Sequence, residues 1–252
     1  MRLFQKIFFL FILLFMFACA TQTPPRISSL PDSQKTKILN SVKKKLEMFQ
    51  KIESAKGFAQ VKLKLRNKKQ SLDEVVFLKF PKHFRFETLD DFGNLQFFIL
   101  SDGENLRWED RLKGQSSEID LSEKNLRRFL PSTGSIDQTL ALFIGKIPLL
   151  DLEEAKVFPK NETYEVEFQG AVLVWNPIQE QILSLVFKNN RGKTFFRFEG
   201  SDFKNYPLNT SSKDFVSLPS RVLLQDFKTK NELEIRYQSL ELNSSLNESM
   251  FE

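Results

Sequence analysis

Apolar and polar positions along this 252-residue chain follow three successive rhythms. The first is an unbroken apolar run of twelve residues from Ile7, preceded by Arg2 and Lys6 and ending in Met16-Phe17-Ala18, with Cys19 next. A helix that crosses a bilayer needs roughly 20 apolar residues, and this run stops short of that before the polar Thr21-Gln22-Thr23-Pro24-Pro25. A basic start, a short apolar centre and a small residue before a cysteine mark a secretory signal with a lipoprotein-type cleavage site. The expectation is a signal peptide over residues 1–18, acylation of Cys19 as the first mature residue, and a Ser-, Thr- and Pro-containing tether over residues 19–32.

The second rhythm is helical. After Ser33, the residues Ile38, Val42, Leu46, Phe49 and Ile52 recur at spacings of three and four, with Lys43, Lys44 and Lys45 between them. That pattern predicts one amphipathic helix, with Gly57 placed as its C-cap. From Phe58 the period becomes two. Val61, Leu63 and Leu65 alternate with Lys62, Lys64 and Arg66; Phe84 and Phe86 alternate with Arg85 and Glu87; Leu106 and Trp108 alternate with Arg107 and Glu109. Each is a strand with one dry face. Similar runs cover 73–80, 95–100, 163–169, 171–176, 180–188, 193–200, 219–228 and 231–242, about eleven strands in all, separated by turns such as Asp102-Gly103 and Asn190-Arg191-Gly192.

Short turns between consecutive strands argue for an antiparallel meander. The rhythm breaks between Ser116 and Phe158, where Ser122–Leu130 and Ser135–Ile144 read as helices capped by their serines and stopped by Pro131 and Pro148. So many strands in one twisted sheet curl, and helices with apolar faces must lie on something apolar. The expected fold is therefore a single domain over residues 33–252, mainly β with α. It is a half-open antiparallel β-barrel, covered by the N-terminal helix and a helical lid insert at about 120–150.

Composition narrows the chemistry. Phe occurs 27 times against 3 Tyr and 2 Trp, which suits a wide interior needing no hydrogen-bond partners for its rings. A sheet lined with Phe on one face is also what a cavity for hydrocarbon requires. The dry faces offer Leu63, Phe84, Phe86, Leu106, Trp108, Val166, Phe168, Phe196 and Phe198 as lining candidates, with Leu140 and Phe143 from the lid; plain core packing is the alternative for each. The net charge of +5 falls to +3 once Arg2 and Lys6 leave with the signal, too mild to argue for nucleic acid. Twelve Lys and Arg between Lys35 and Lys69 face only Glu47 and Glu53, a basic stretch that is either a solvated face or an attraction for anionic headgroups.

With Cys19 acylated no thiol remains, so disulfides and cysteine-ligated metals are excluded. The single histidine, His83, has no nucleophile-elbow serine to serve. The acidic pairs Asp90-Asp91 and Glu153-Glu154 read as solvated turns more readily than as a glycosidase couple. No phosphate loop, metal-ligand spacing or nucleotide fingerprint occurs, so neither an enzyme, a metal nor a cofactor is expected.

Several segments together resemble the LolB-like receptors of the LolA/LolB-like lipoprotein localisation superfamily. The strongest is Pro81-Lys82-His83-Phe84-Arg85-Phe86-Glu87-Thr88-Leu89-Asp90-Asp91-Phe92-Gly93-Asn94-Leu95-Gln96-Phe97-Phe98, two strands around a short loop. Leu142-Phe143-Ile144-Gly145-Lys146-Ile147-Pro148-Leu149 is similar to the family's helix ending in a Leu-Gly-x-Pro-like turn. Leu218-Pro219-Ser220-Arg221-Val222, Leu233-Glu234-Ile235-Arg236-Tyr237 and Asn243 resemble the last strands, with Met250-Phe251 closing them.

The resemblance implies a half-open barrel whose hydrophobic cavity accepts acyl chains of lipoproteins from a LolA-like periplasmic carrier and passes them to the outer membrane. It also implies a loop with an exposed apolar residue that assists membrane insertion. By position this is Phe92, where Phe stands for a more usual Leu and Asp90 and Asp91 precede it. The implied partners are acylated lipoproteins, that carrier, and membrane lipid through acylated Cys19. Ala20 after Cys19, rather than Asp, favours outer-membrane residence on the periplasmic face. A carrier of free lipids or glycolipids, and an anchored scaffold that binds a protein partner, are the competing readings.

Overall fold

A computed structural model describes residues 30–65, 68–209 and 214–252; the signal, Cys19 and nearly all of the tether lie outside the described residues. Helix α1 (Asp32–Gln50) follows Pro31, with Asp32 in its first turn where the helix dipole favours an acid. Its Ile38, Val42, Leu46 and Phe49 enter the core, each worth roughly 1.5–3 kcal/mol on burial. Lys45 departs from the expected solvent face. It is buried with its Nζ 5.4 Å from the centre of the Phe49 ring.

Gly57 is not a helix cap. It lies within strand β1 (Ser54–Leu65), because α1 ends at Lys51 and the chain turns straight into the sheet. Its backbone approaches the last strand so closely that a Cβ there would sit 2.7 Å from the Ser239 carbonyl oxygen, next to the register shift at Phe58/Ala59.

Among the described residues thirteen strands follow rather than about eleven, all in one antiparallel sheet. They are β1, β2 (Lys68–Lys79), β3 (His83–Leu89), β4 (Leu95–Asp102), β5 (Asn105–Asp110), β6 (Gln115–Asp120), β7 (Lys156–Lys160), β8 (Thr163–Phe168), β9 (Ala171–Asn176), β10 (Gln181–Lys188), β11 (Thr194–Pro207), β12 (Phe215–Asp226) and β13 (Asn231–Leu242). Their order is β6-β5-β4-β3-β2-β1-β13-β12-β11-β10-β9-β8-β7. Each hairpin pairs neighbours in sequence, and β1 against β13 joins the two halves. The sheet does not close, so β6 and β7 are its edges. These are the two strands that periodicity misses. β6, Gln-Ser-Ser-Glu-Ile-Asp, has one apolar residue, and β7 carries Pro159, as suits edges kept polar or proline-blunted.

The helical insert, residues 121–155, therefore runs from one edge of the open sheet to the other. Helix α2 (Glu123–Leu126) is a single turn, shorter than its sequence pattern suggests, and α3 is Ile136–Phe143; Ser122 and Ser135 cap them, accepting from Asn125 N and Gln138 N. α3 ends in a Schellman motif. Lys146 N donates to Ala141 O at 3.0 Å and Gly145 N to Leu142 O at 3.1 Å, with Gly145 at φ +74°. The turn is pressed onto β12, where a Cβ on Gly145 would meet the Pro219 ring at 2.4 Å.

Two polar ties lock α1 and the insert to the sheet. Asn243 accepts from Glu53 N at 2.7 Å and donates to Lys51 O at 2.8 Å. Lys146 Nζ donates to Ile52 O at 2.6 Å and sits 4.1 Å from the Phe80 ring centre, where desolvation lowers its pKa to about 8. The chain closes on a 3-10 turn (Glu248–Phe251) that buries Phe251 edge-on to His83.

Candidate functional site

Antiparallel alternation puts the β3–β4, β5–β6 and β12–β13 turns, with the Leu65 end of β1 and the Lys68 end of β2, on one rim of the sheet. Below that rim the sheet and the insert bound an apolar cavity of about 360 Å³. Its walls are Val61, Leu63 and Leu65 of β1, Leu72 and Val76 of β2, Phe86 of β3, Phe97 and Ile99 of β4, and Leu233 and Ile235 of β13. The insert roofs it with Phe129, Leu130 and Phe143. Phe143 and Phe86 stack nearly parallel, ring centres 5.0 Å apart at 9°, so the roof is fixed to the floor by one aromatic pair.

Of the eleven lining candidates named from sequence, Leu63, Phe86 and Phe143 are in this wall. Phe84, Leu106, Leu140, Val166, Phe196 and Phe198 are fully buried core residues, while Trp108 and Phe168 pack half-buried against that core. The reason is coverage. Ile38, Val42, Leu46 and Phe49 of α1 are buried in the same core as these residues and none of them lines the cavity. The apolar open space lies against β1–β4 and β13.

Polar groups gather at two levels. At the mouth, Asp110 and Lys113 pair at 2.5 Å and Gln70 and Gln96 line the wall. Deeper, Glu74 of β2 faces the cavity between Ala59 and Thr88, its cross-strand neighbours. Glu74 is only 8% exposed, and Thr88 Oγ1 donates to its Oε1 at 2.6 Å. Burial pushes this carboxyl up to about 7; the Thr88 hydrogen bond opposes the shift and Glu87 adds to it. Sequence reasoning missed Glu74. The signal was there, since it is the one charged residue in the otherwise apolar series Leu72, Glu74, Val76, Leu78 on the dry face of β2.

The rim beside the mouth carries exposed apolar side chains. Phe92 in the β3–β4 loop is 91% exposed, and Leu112 in the β5–β6 loop is 74% exposed while also touching the cavity. The Phe92 loop is rigidly built. Asp90 accepts from Phe92 N at 2.9 Å and Asn94 N at 2.8 Å, and Gly93 N donates to Asp90 O at 2.9 Å. The side chain and backbone of Asn94, with the Phe92 amide, hold the Asp90 carboxyl below its usual range. Asp90 is thus a loop brace, and Lys68, Lys69, Arg111, Lys113, Lys228 and Lys230 stand exposed on the same rim.

The remaining candidates for chemistry are dispersed. His83 packs against Phe251 and beside Gly103. Glu153 and Glu154 are exposed in the insert. Among the described residues no group of three His, Cys, Asp or Glu could hold a metal ion, and no helix is long and apolar enough to cross a membrane.

No protein-family model matches the chain, and no curated protein does. Solved structures do. A LolA superfamily protein from Nitrosomonas europaea superposes with a TM-score of 0.51 at 15% identity, over 85% of this chain and 96% of that one. A DUF1329 family protein from Desulfovibrio piger gives 0.50 at 10% identity, over 86% and 96%. The chain has the LolA/LolB-like fold, a half-open antiparallel sheet with an N-terminal helix across it.

Proposed function

We propose that this protein is a lipid-anchored acceptor that takes the acyl chains of lipoproteins into the rim cavity and helps insert them into the outer membrane. The observation that carries the reading is the position of Phe92 and Leu112, exposed on the rim into which an apolar cavity opens. An acyl chain leaves water only for a space of comparable apolarity, at roughly 0.8 kcal/mol per buried CH₂. A rim that presents Phe92 and Leu112 among lysines suits a surface of acyl chains beneath anionic headgroups. In this reading acylated Cys19 holds the domain at the periplasmic face of the outer membrane, a LolA-like carrier delivers cargo, and no covalent chemistry takes place. The likeness in fold to a LolA superfamily protein supports the class of ligand.

Replacing Phe92 by Glu and following outer-membrane incorporation of a reporter lipoprotein tests the reading. Incorporation should fall while the fold is unaffected, since Phe92 is 91% exposed; unchanged incorporation would remove the loop's role. A second reading, a carrier of free lipid, draws on the cavity's size: about 360 Å³ lies at the small end of ligand pockets and favours one chain over several. Lipids co-purifying in place of acylated protein would select it.

A further inference from the structure

A carboxyl on the floor of an apolar cavity needs a reason, because burying it costs free energy that Leu at the same position would not. Glu74 has Ala59 on one side and Thr88 on the other, so no cation stands opposite it in that register, and Thr88 supplies a hydroxyl donor at 2.6 Å. The charged groups nearest the cavity are otherwise engaged. Asp110 and Lys113 pair at 2.5 Å at the mouth, and Glu87 pairs with Arg85 at 2.6 Å. β1, β13 and the insert face Glu74 with apolar side chains, among them Val61, Ile235 and Phe143.

We propose that Glu74 and Thr88 form a polar anchor that holds the uncharged carbonyl of an acyl ester or amide, so that the cavity selects neutral acyl groups over fatty-acid carboxylates. This rests on the reading of the cavity as an acyl-chain site. Oε1 of Glu74 is occupied by the Thr88 hydroxyl, which leaves the other oxygen, carrying the proton, to donate to a ligand carbonyl. A ligand carboxylate brought to the same place would face a second carboxyl in a low-dielectric site, where only one of the two can ionise. The raised pKa of Glu74, about 7, is consistent with the protonated donor form. Apolar surface would supply affinity for the chain, and the anchor would set which head group enters behind it.

The test uses the Cys19→Ala protein and three pyrene-labelled probes of equal chain length: a monoacylglycerol, the free fatty acid and the plain hydrocarbon, titrated by fluorescence at about pH 6, below the value of about 7 to which burial raises Glu74. The monoacylglycerol should bind at least tenfold tighter than the fatty acid. Glu74→Leu should weaken the monoacylglycerol about three- to tenfold, the range for one lost neutral hydrogen bond, and leave the hydrocarbon unchanged or tighter. Glu74→Gln, which keeps a neutral donor, should retain monoacylglycerol binding and shows that the site is still folded. Equal binding of monoacylglycerol and fatty acid, or a Glu74→Leu protein that binds the monoacylglycerol as the parent does, overturns the anchor. Failure of all three proteins to bind the hydrocarbon removes instead the acyl-cavity reading beneath it.

Discussion

Glu74 also writes itself into stability. Its carboxyl sits at about 7 in the folded protein against an ordinary 4.5, so between those two pH values the folded state keeps a proton that the unfolded chain has lost. Stability from this group is therefore fully present below pH 4.5 and declines as pH rises through 7. The full shift corresponds to about 3 kcal/mol, of which about 2 to 3 kcal/mol falls between pH 5 and 8. Other carboxylates titrate over part of this range, so the quantity to follow is the difference between the parent and Glu74→Gln. The amide keeps the size of the side chain, accepts from Thr88 and does not ionise. Urea denaturation of both proteins at half-unit steps from pH 4.5 to 8 gives that difference directly. Glu74→Gln should gain on the parent by about 2 to 3 kcal/mol as the pH rises from 5 to 8. A difference that stays constant to within about 0.5 kcal/mol would refute the argument that burial holds the proton on Glu74.

Three further outcomes follow from named contacts. Gly145→Ala places a Cβ 2.4 Å from the Pro219 ring at φ +74° and should lower stability by about 2–4 kcal/mol in urea, with partial recovery in the Gly145→Ala, Pro219→Ala double variant. Asn243→Ala removes the acceptor for Glu53 N and the donor to Lys51 O and should cost about 2–3 kcal/mol, read as a lower urea midpoint. Phe92→Glu and Leu112→Glu should each change stability by less than about 0.5 kcal/mol while reducing binding of the Cys19→Ala protein to anionic vesicles in a flotation assay.

Much of the fold was legible because its signals are local. The alternation of Phe84 and Phe86, the caps Ser122 and Ser135 and the spacing of Ile38, Val42, Leu46 and Phe49 each fix an element within a few residues. What escaped depends on distant parts of the chain. β6 and β7 are stabilised by a single neighbour each and bury little, so they carry no strong period. Gly57 looked like a cap because its real constraint, the Ser239 carbonyl, lies in the last strand.

The cavity shows the same limit. Period two says that Phe84, Phe196 and Phe198 point to a dry face, but not that they are closed into the core while Phe86 lines open space. The deciding feature is where Phe129, Leu130 and Phe143 of the insert meet the sheet, and no local pattern encodes it. Glu74 is the converse case. It breaks a pattern, and the break marks where β2 holds a carboxyl buried against Thr88.

The most direct test of the central claim is native mass spectrometry of the Cys19→Ala protein incubated with an acylated lipoprotein, with the same lipoprotein stripped of its acyl chains, and with phospholipid. The account predicts a one-to-one complex that requires the acyl chains and is lost when the roof residue Phe143 is replaced by Glu. A protein that binds the stripped lipoprotein equally well, or that binds neither lipoprotein nor phospholipid, would contradict it.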